Sequence, residues 1–404
     1  MTITDTHIPP WYKLTEVWVI PTDWEIDELW SIAKITMGQS PQSLYYNSIS
    51  IGYWLPLIQG NADVKNRKTI IRNYTSQITK KWKKWDIIMS VRAPVWEISK
   101  TYFDCCLGRG VCSIDFPNNY LYHLLIYLEN YRVKLSTGST FDSVNWKQIK
   151  ELKLSLPKSL KEQTLIATAL SDIDTLITEL DTLIIKKTFI KSWTMQLLLT
   201  GKKRLPGCSG EWEMKKLGDV CDLQNGFAFK SSFYDEKWEW NIITIANVQE
   251  GKLIIEWTNK IFSLPKDIQK HQILEFGDML ISMTWNVGRI CLVDKQNCLL
   301  NQRVGKLWNL KIDKFYFYYA ISTRKFIKSM TIKAQWWAQW NLWKWDILDE
   351  MIHTPTDIEE QQAIASILSD IDTEIQSLQI KKDKYTNIKQ GMMQSLLTGQ
   401  IRLI

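Results

Sequence analysis

The chain has 404 residues, which is enough for two or three domains that each bury a core of their own. Fifty Lys and Arg residues against 43 Asp and Glu give a formal charge of +7, which suits a polyanionic partner but not a binder that relies on a basic tail. A hydrophobic content of 45% and a charged content of 23% exclude a disordered or fibrous chain.

Targeting and cysteine patterns indicate where the protein acts. No run of eighteen apolar residues predicts a membrane span, and the polar segment Met1–Pro10 predicts no signal peptide. The seven cysteines include the adjacent pair Cys105 and Cys106 and form neither a disulfide framework nor a paired zinc motif. We therefore expect a protein of the reducing cytoplasm.

Residues 1–158 form the first predicted domain. Short runs of β-branched and aromatic residues, such as Ile87–Val91, alternate with Gly, Asn and Pro turns, and Tyr120–Tyr131 has a brief helical pattern. This composition predicts a strand-rich α+β domain.

A long helix is predicted over residues 159–204. Ser159-x-x-Glu162 has the spacing of a capping box, and Gly201 lies where a left-handed C-cap is expected. Apolar residues recur at steps of three and four and predict a heptad seam formed by Ile166, Ala169, Ile173, Leu176, Leu180 and Leu183.

The same two patterns then recur. Residues 205–356 are again strand-rich, with runs at Ile242–Ile245 and Met279–Met283 and a helical pattern at Phe315–Lys328. A second long helix is predicted over residues 357–404, with a capping box at Thr356-x-x-Glu359 and a C-cap at Gly399. Its seam consists of Ile364, Ile367, Ile371, Leu378, Ile388 and Met392.

The two halves are a direct duplication. Residues 162–205 and 360–403 align at a shift of 198, and 24 of these 44 positions are identical. Because the second strand-rich domain starts within a few residues of the first helix end, the second helix must run back along the first. We predict an α+β protein whose two domains are joined by an antiparallel coiled coil of roughly 39 residues, about 58 Å long. The alternative is that each helix packs only on its own domain.

Tryptophan repeatedly occupies positions where the other half has glycine. The chain has 21 Trp against 17 Gly, and the alignment places Trp30, Trp85, Trp96 and Trp193 opposite Gly218, Gly277, Gly288 and Gly391. Trp24 and Trp212, in contrast, face each other. Turn glycines often need backbone conformations that tryptophan cannot supply. We therefore hypothesise that the source reads UGA as glycine. The alternative is an aromatic surface that stacks on nucleic acid.

Catalytic motifs are absent from the sequence. There is no phosphate-binding loop of the Walker type, and the four histidines show no metal-ligand spacing. The motif LSDIDT occurs in both helices, but carboxylates two residues apart on a helix do not face each other. We predict a chain without catalytic or metal-binding residues, in which Asp172, Asp174, Asp370 and Asp372 are solvated or bind partner subunits.

Basic and amide side chains are the remaining candidates for function. Arg, Asn and Gln can read base edges bidentately, whereas Lys mostly contacts the phosphate backbone. In the first domain the candidates are Gln59, Asn61, Lys65, Arg67, Lys81, Lys83, Arg92 and Arg109. In the second they are Asn247, Thr284, Arg289, Gln302 and Arg303.

The chain resembles the DNA specificity subunits of type I restriction–modification systems over nearly its whole length. The resemblance rests on the segment from Trp11 to Glu25, on Pro56–Asp63, on Ser90–Val95, on Gly138–Phe141 and on the twice-used helices with EQ, LSDID and LLTG-x-x-RL. In that family Trp11, Trp18, Trp54, Trp85 and Trp96 would be glycine, which is a second reason to suspect recoding.

The resemblance implies two target-recognition domains, each of which reads one half of a bipartite site in double-stranded DNA. It implies that the helical pair sets the spacer and docks two methyltransferase subunits, and that restriction or translocase subunits join the complex. The subunit would be inactive alone and bind no cofactor, because S-adenosylmethionine, ATP and Mg would belong to the partners. Two alternatives remain: a coiled-coil scaffold that ignores DNA, and the specificity subunit of a restriction–methylation system outside type I.

Overall fold

The computed structural model describes residues 8–52, 54–135, 144–234, 239–256, 258–336 and 341–403. The Gly138–Phe141 motif lies outside them. The chain divides into two compact units, and each unit combines one strand-rich domain with half of each long helix. Unit 1 consists of Met1–Asp181 and Ile380–Ile404, and unit 2 consists of Thr182–Gln379. These units cut across the four consecutive segments that the sequence predicts.

The strands of unit 1 are short. They are β1 Tyr12–Leu14, β2 Val19–Pro21, β3 Trp24–Glu28, β4 Lys34–Met37, β5 Tyr46–Asn47, β6 Leu55–Ile58, β7 Val64–Lys65, β8 Lys68–Thr69, β9 Asn73–Thr75, β10 Lys81–Trp82, β11 Ile87–Ser90, β12 Ile98–Lys100, β13 Cys105–Leu107, β14 Val111–Asp115 and β15 Lys153–Pro157. The helices are α1 Leu29–Ile32, α2 Tyr120–Leu135, α3 Trp146–Lys150 and the first half of α4 Leu160–Leu198.

Two larger sheets organise unit 1. One has the strand order β10-β13-β6-β9-β5, and the other has the order β4-β14-β11-β12-β8-β7. Strands β6 and β13 are parallel, so both end at the same edge of their sheet. The core lies between the second sheet and the helices α2 and α4, where Trp24, Tyr120 and Ile166 are fully buried. This arrangement leaves the ends of β6, β11 and β13 free to present loops.

Unit 2 repeats this plan. Its strands are β16 Trp212–Lys216, β17 Asp222–Asn225, β18 Trp240–Ile243, β19 Val248–Gln249, β20 Lys252–Leu253, β21 Lys260–Ile261, β22 Ile273–Leu274, β23 Met279–Ser282, β24 Ile290–Leu292, β25 Cys298–Leu300, β26 Val304–Trp308 and β27 Met351–Pro355. Its helices are α5 Leu217–Val220, α6 Lys314–Ile321, α7 Arg324–Trp336, α8 Lys344–Leu348 and the first half of α9 Ile358–Leu397. The sheet orders are β17-β26-β23-β24 and β21-β18-β25-β22. In them β26 and β23 correspond to β14 and β11 of unit 1, and β18 and β25 correspond to β6 and β13.

The two long helices pack antiparallel within each unit. In unit 1, α4 and α9 are bridged by Lys389 to Asp174 (2.6 Å) and Lys382 to Asp181 (2.6 Å). In unit 2, the bridges run from Lys191 to Asp372 (2.6 Å) and from Lys187 to Glu374 (2.7 Å). Within each unit, the ion-paired residue with the higher number on α4 has a partner with the lower number on α9, so the two helices run in opposite directions. The predicted α+β class with an antiparallel helix pair is therefore confirmed.

Two details of the helices differ from the sequence-based expectation. Leu183 and Ile388 were predicted to lie in the seams, but their side chains are 44% and 40% exposed, and ion pairs bridge the helices near both of them. The second helix begins at Ile358, and Asp357 caps it by accepting a hydrogen bond from the Glu359 amide (2.9 Å). Thr356 instead donates to the Glu211 carbonyl (3.1 Å). Both predicted C-cap glycines are left-handed, with φ of 68° at Gly201 and 74° at Gly399.

Among the described residues, no helix is long and apolar enough to cross a membrane.

Candidate nucleic-acid interface

Three connections of unit 1 meet at one edge of its sheets. They are the loop Gln59–Asn61 after β6, Arg92 after β11, and Arg109 between β13 and β14. The Gly108 amide donates to the Ile58 carbonyl (2.8 Å), and the Val91 amide donates to the Gly110 carbonyl (2.9 Å), which ties the three together. We call these residues, Gln59–Asn61 with Arg92 and Arg109, the unit 1 edge.

A buried aspartate fixes the loop after β6. The Asp63 carboxylate accepts a hydrogen bond from the Gln59 amide (2.7 Å), and its own amide donates to the Gly60 carbonyl (3.0 Å). The side-chain amide of Gln59 donates to the Tyr46 hydroxyl (2.8 Å). The loop is therefore held in one conformation before any ligand binds.

Close backbone approach fixes the turn that carries Arg109. A Cβ atom at Gly110 would lie 2.1 Å from the Gln59 carbonyl oxygen, and one at Gly38 would lie 2.1 Å from the Gly108 carbonyl oxygen. Only glycine allows such contacts. The turn thus packs against the loop after β6 and leaves the Arg109 side chain exposed.

The charged candidates of unit 1 fall into two groups. Arg92 and Arg109 are exposed, and no ion pair with a described acidic residue is formed by either. Arg67 instead pairs with Glu129 (2.5 Å) and donates to the Ile98 carbonyl (3.2 Å), so it stabilises the fold. Arg92 and Arg109 are the guanidinium groups at this edge that remain available to a ligand.

The lysine candidates lie on other segments than the unit 1 edge, and Lys81 comes nearest to it, since it pairs with Cys106 near the end of β13. Lys65 belongs to β7, the terminal strand of the second sheet. Lys83 precedes β11 and so lies at the end of that strand opposite Arg92. Lys81 is exposed, with its Nζ 3.6 Å from a carboxylate oxygen of Asp104. These cations suit contacts with a polyanion backbone better than contacts with base edges.

Unit 2 has a corresponding edge. Strands β18 and β25 are parallel, and Ser282 at the end of β23 lies opposite Val304 at the start of β26. The Asn301 amide donates to the Ile243 carbonyl (3.2 Å), and the Met283 amide donates to the Arg303 carbonyl (3.1 Å). These are the counterparts of the two backbone bonds in unit 1. The unit 2 edge consists of Thr244, Thr284, Gln302 and Arg303.

The candidates of unit 2 differ in availability. Asn247 is 3% exposed; its side-chain oxygen accepts from the Thr244 amide (2.8 Å), and its side-chain nitrogen donates to the Ile254 carbonyl (2.8 Å). It therefore fixes the loop after β18 as Asp63 fixes the loop after β6. Arg289 donates to the Gln249 side chain (2.5 Å), and Thr284 is buried. Gln302 and Arg303 are exposed.

Thr244 is a member of the unit 2 edge that the sequence did not indicate. It directly follows β18, as Gln59 directly follows β6. Only an alignment of β6 with β18 could have indicated Thr244. The two strands have little sequence in common and correspond only in their hydrogen bonding, so the sequence alone offered no such alignment.

The helix aspartates also divide into two kinds. Asp174 binds Lys389 and Asp372 binds Lys191, so both stabilise the helix pair within their own units. Asp172 and Asp370 are exposed.

The buried cysteines and the metal-ligating residue types were the remaining candidates for chemistry. The described residues contain no cluster of His, Cys, Asp and Glu that could hold a metal ion. Burial raises the pKa of the Cys105, Cys112 and Cys291 thiols to about 12, so these thiols are protonated and unreactive near neutral pH.

Comparison with known proteins identifies the class of this chain. The sequence profile of the type I restriction modification DNA specificity domain matches it twice, at residues 21–187 and 209–387. The chain therefore belongs to the type I restriction–modification DNA specificity family. The predicted resemblance is confirmed, and the family consists of specificity subunits rather than catalytic ones.

Two relatives come from Methanocaldococcus jannaschii. The putative type I restriction enzyme MjaX specificity subunit is 36% identical over 203 residues, which span 48% of this chain and 47% of the relative. This match thus covers only about half of either protein. The type I restriction enzyme MjaVIII specificity subunit is 27% identical over 423 residues, covering 95% of this chain and 94% of the relative.

Solved structures show the same fold. The S subunit of a type I restriction–modification system from M. genitalium matches with a TM-score of 0.63 at 15% identity, covering 95% of this chain and 97% of that one. A chain from a study of complex assembly and conformational transition of the type I system matches with a TM-score of 0.52 at 16% identity, covering 95% and 99%.

Proposed function

We propose that this chain recognises a bipartite DNA site for a type I restriction–modification complex, with the unit 1 edge reading one half and the unit 2 edge reading the other. The observation that carries the proposal is the pair of edges itself. Their backbones share the same hydrogen bonds, whereas their exposed side chains differ. Two similar platforms with unlike polar side chains suit two unlike half-sites.

In the proposed complex, one set of residues reads DNA bases and another set binds the DNA phosphate backbone. Arg92, Arg109, Gln302 and Arg303 reach base edges, because guanidinium and amide groups can bond two atoms of one base. Lys65, Lys81 and Lys83 contact phosphates and add affinity that is independent of sequence.

The helix pair sets the spacer and docks two methyltransferase subunits in the proposed complex, with Asp172 and Asp370 on the docking surface. The methyl donor S-adenosylmethionine belongs to those subunits. ATP and Mg belong to restriction or translocase subunits that join the complex. The chain itself binds none of these cofactors and acts in the cytoplasm, where the DNA is.

Salt dependence separates this proposal from a coiled-coil scaffold. The full chain is co-expressed with the methyltransferase subunit of its own system, and binding of the complex to duplex DNA is measured by fluorescence anisotropy between about 50 and 200 mM salt. Phosphate contacts make log affinity fall linearly with log salt, so several contacts predict a loss of roughly a hundredfold or more over this range. A complex that forms but binds no duplex at either salt would support the scaffold.

A specificity subunit outside type I would be distinguished by its genetic neighbourhood. For the proposed type I system we expect a neighbouring methyltransferase gene together with a separate translocase gene. A fused restriction–methylation gene at that place would contradict the type I complex while leaving DNA reading intact.

A further inference from the structure

Arg109 and Gln302 occupy the same place in the two units. Arg109 follows Gly108, whose amide bonds to the strand β6, and Gln302 follows Asn301, whose amide bonds to the strand β18. Arg109 lies in the turn between β13, which is parallel to β6, and β14. Gln302 lies in the turn between β25, which is parallel to β18, and β26. The positions are equivalent although the local sequences Leu-Gly-Arg-Gly and Leu-Asn-Gln-Arg share only the leucine.

The backbone under both side chains is fixed. In unit 1 the Arg109 amide donates to the Ser40 hydroxyl (3.0 Å), close to the tight contact of Gly38 with Gly108. In unit 2 the Gln302 amide donates to the Phe227 carbonyl (3.0 Å). A Cβ atom at Gly226, the counterpart of Gly38, would lie 2.2 Å from the Asn301 carbonyl oxygen.

The two side chains differ in chemistry but not in availability. Both are exposed, and within the described part of the chain neither side chain forms a hydrogen bond or an ion pair. A fixed backbone removes the cost of ordering the loop, so only the rotamer freedom of the side chain itself is lost on binding. Arginine pairs bidentately with the O6 and N7 atoms of guanine, and glutamine with the N6 and N7 atoms of adenine.

We infer that Arg109 and Gln302 are equivalent specificity-determining residues, with Arg109 selecting a guanine in the half-site of unit 1 and Gln302 selecting an adenine in that of unit 2. This inference rests on the proposed function and assigns one base contact to each edge. The two half-sites would then differ in the base at one equivalent position, because unit 1 has arginine where unit 2 has glutamine.

Exchanging the two side chains tests the inference. The methyltransferase complex is prepared with the full chain, with Arg109→Gln and with Gln302→Arg, and methylated sites are mapped across a DNA library of random sequence. Arg109→Gln should reduce the preference for guanine at one position of one half-site by roughly tenfold or more and introduce a preference for adenine. Gln302→Arg should do the reverse in the other half-site.

Two further variants serve as controls. Arg109→Lys keeps the charge but loses the planar fork, so it should weaken the guanine preference without creating one for adenine. Lys83→Gln removes one positive charge away from the unit 1 edge, so it should lower affinity equally for all sequences. The unaltered half-site in each variant reports whether the complex is still folded and active.

The outcomes separate this inference from the proposed function. A wild-type complex that methylates no defined motif would overturn the proposed function and the inference with it. A clear wild-type motif that survives unchanged in both Arg109→Gln and Gln302→Arg would overturn only the inference. A change in both half-sites from either single substitution would also contradict it.

Discussion

Three described tryptophans, Trp85, Trp96 and Trp285, hold a backbone conformation that normally requires glycine. Trp85 has φ of 80° and Trp96 has φ of 68°, whereas the glycines aligned with them, Gly277 and Gly288, have φ of 85° and 77°. A side chain on a left-handed backbone is strained by roughly 1–2 kcal/mol. The two halves therefore fold alike at these positions, which supports the hypothesis that the functional protein has glycine there.

Trp24 and Trp212 behave differently. Trp24 is fully buried, and its ring lies against Gly399 in unit 1, beneath the guanidinium of Arg402. In unit 2, the Trp212 ring lies against Gly201 and beneath the guanidinium of Arg204. These matched contacts agree with the hypothesis that both positions are genuine tryptophans.

Backbone strain at Trp85 can be measured by comparing two substitutions. Trp85→Ala and Trp85→Gly both remove the exposed ring and its contact with Tyr102, but only glycine also relieves the left-handed strain. We expect the glycine variant to have a free energy of unfolding about 1 kcal/mol higher than that of the alanine variant. Denaturant unfolding of both variants measures this difference, and equal stabilities would show that Trp85 is not strained.

The gene provides an independent test of the same hypothesis. We expect UGA codons at Trp30, Trp85, Trp96 and Trp193, and UGG codons at Trp24 and Trp212. UGG at all six positions would mean that the tryptophans are genuine and that the strained turns belong to the natural protein.

At the scale of elements, the ion pairs of the two helices repeat as the sequence does. Glu162 receives a bidentate Arg402 in unit 1, and Glu360 receives a bidentate Arg204 in unit 2, with distances of 2.6 to 2.8 Å. Both glutamates are buried, so their pairing matters more than that of surface charges. The identical motifs at both helix ends are thus explained by the same packing, formed once in each unit.

One contact breaks this symmetry. His123 on α2 faces α4 in unit 1, where its Nε2 lies 3.1 Å from the Ser171 hydroxyl and its Nδ1 lies 3.9 Å from Asp174. The corresponding residue in unit 2 is Tyr319, whose hydroxyl donates to Asp372 (2.9 Å). Burial, with Lys389 and Lys100 nearby, lowers the pKa of His123 from 6.5 to about 3.

The lowered pKa of His123 predicts acid sensitivity in unit 1. Because the unfolded chain binds a proton at His123 between pH 6.5 and 3 and the folded chain does not, stability falls as the pH falls through this window. The loss between pH 7 and pH 5 should be roughly 2 kcal/mol. His123→Tyr, which installs the residue found in unit 2, should remove this part of the pH dependence. Unfolding measured from pH 7 to 5 would contradict the assignment if both proteins lost stability in parallel.

The periodicity of apolar residues was sufficient to predict the long helices, but it did not predict which side chains each helix would bury. The heptad pattern predicted both long helices, and Gly201 and Gly399 gave their C-caps. The same pattern could not show that Leu183 is exposed, since burial depends on what lies opposite. Likewise, Asn247 looked like a base-reading amide in the sequence, but its hydrogen bonds hold the loop after β18.

At the scale of the whole molecule, duplication is the feature from which function could be predicted. The duplication predicted two strand-rich domains joined by paired helices, and the resemblance to the specificity family implied that each domain reads one half-site, which stays a proposal. The sequence could not indicate that Arg109 and Gln302 are equivalent, because backbone hydrogen bonds define that match and the local residues do not. The structure was therefore needed to locate a site that is built from loop backbone, whereas the sequence was enough to predict the class of protein.

In the proposed complex, the helix pair sets the spacer length and the two edges read the base sequence. Removing one heptad at matched positions from both α4 and α9 shortens each helix by about 10 Å, close to three base pairs of DNA. The edges are untouched by this change, so spacer and half-sites should respond independently.

Mapping methylated sites in cells that express the methyltransferase with either the full or the shortened chain tests this claim most directly. We predict an asymmetric bipartite motif for the full chain, and the same two half-sites with a spacer about three base pairs shorter for the shortened chain. Altered half-sites with the original spacer, or a motif of one continuous block, would contradict the account.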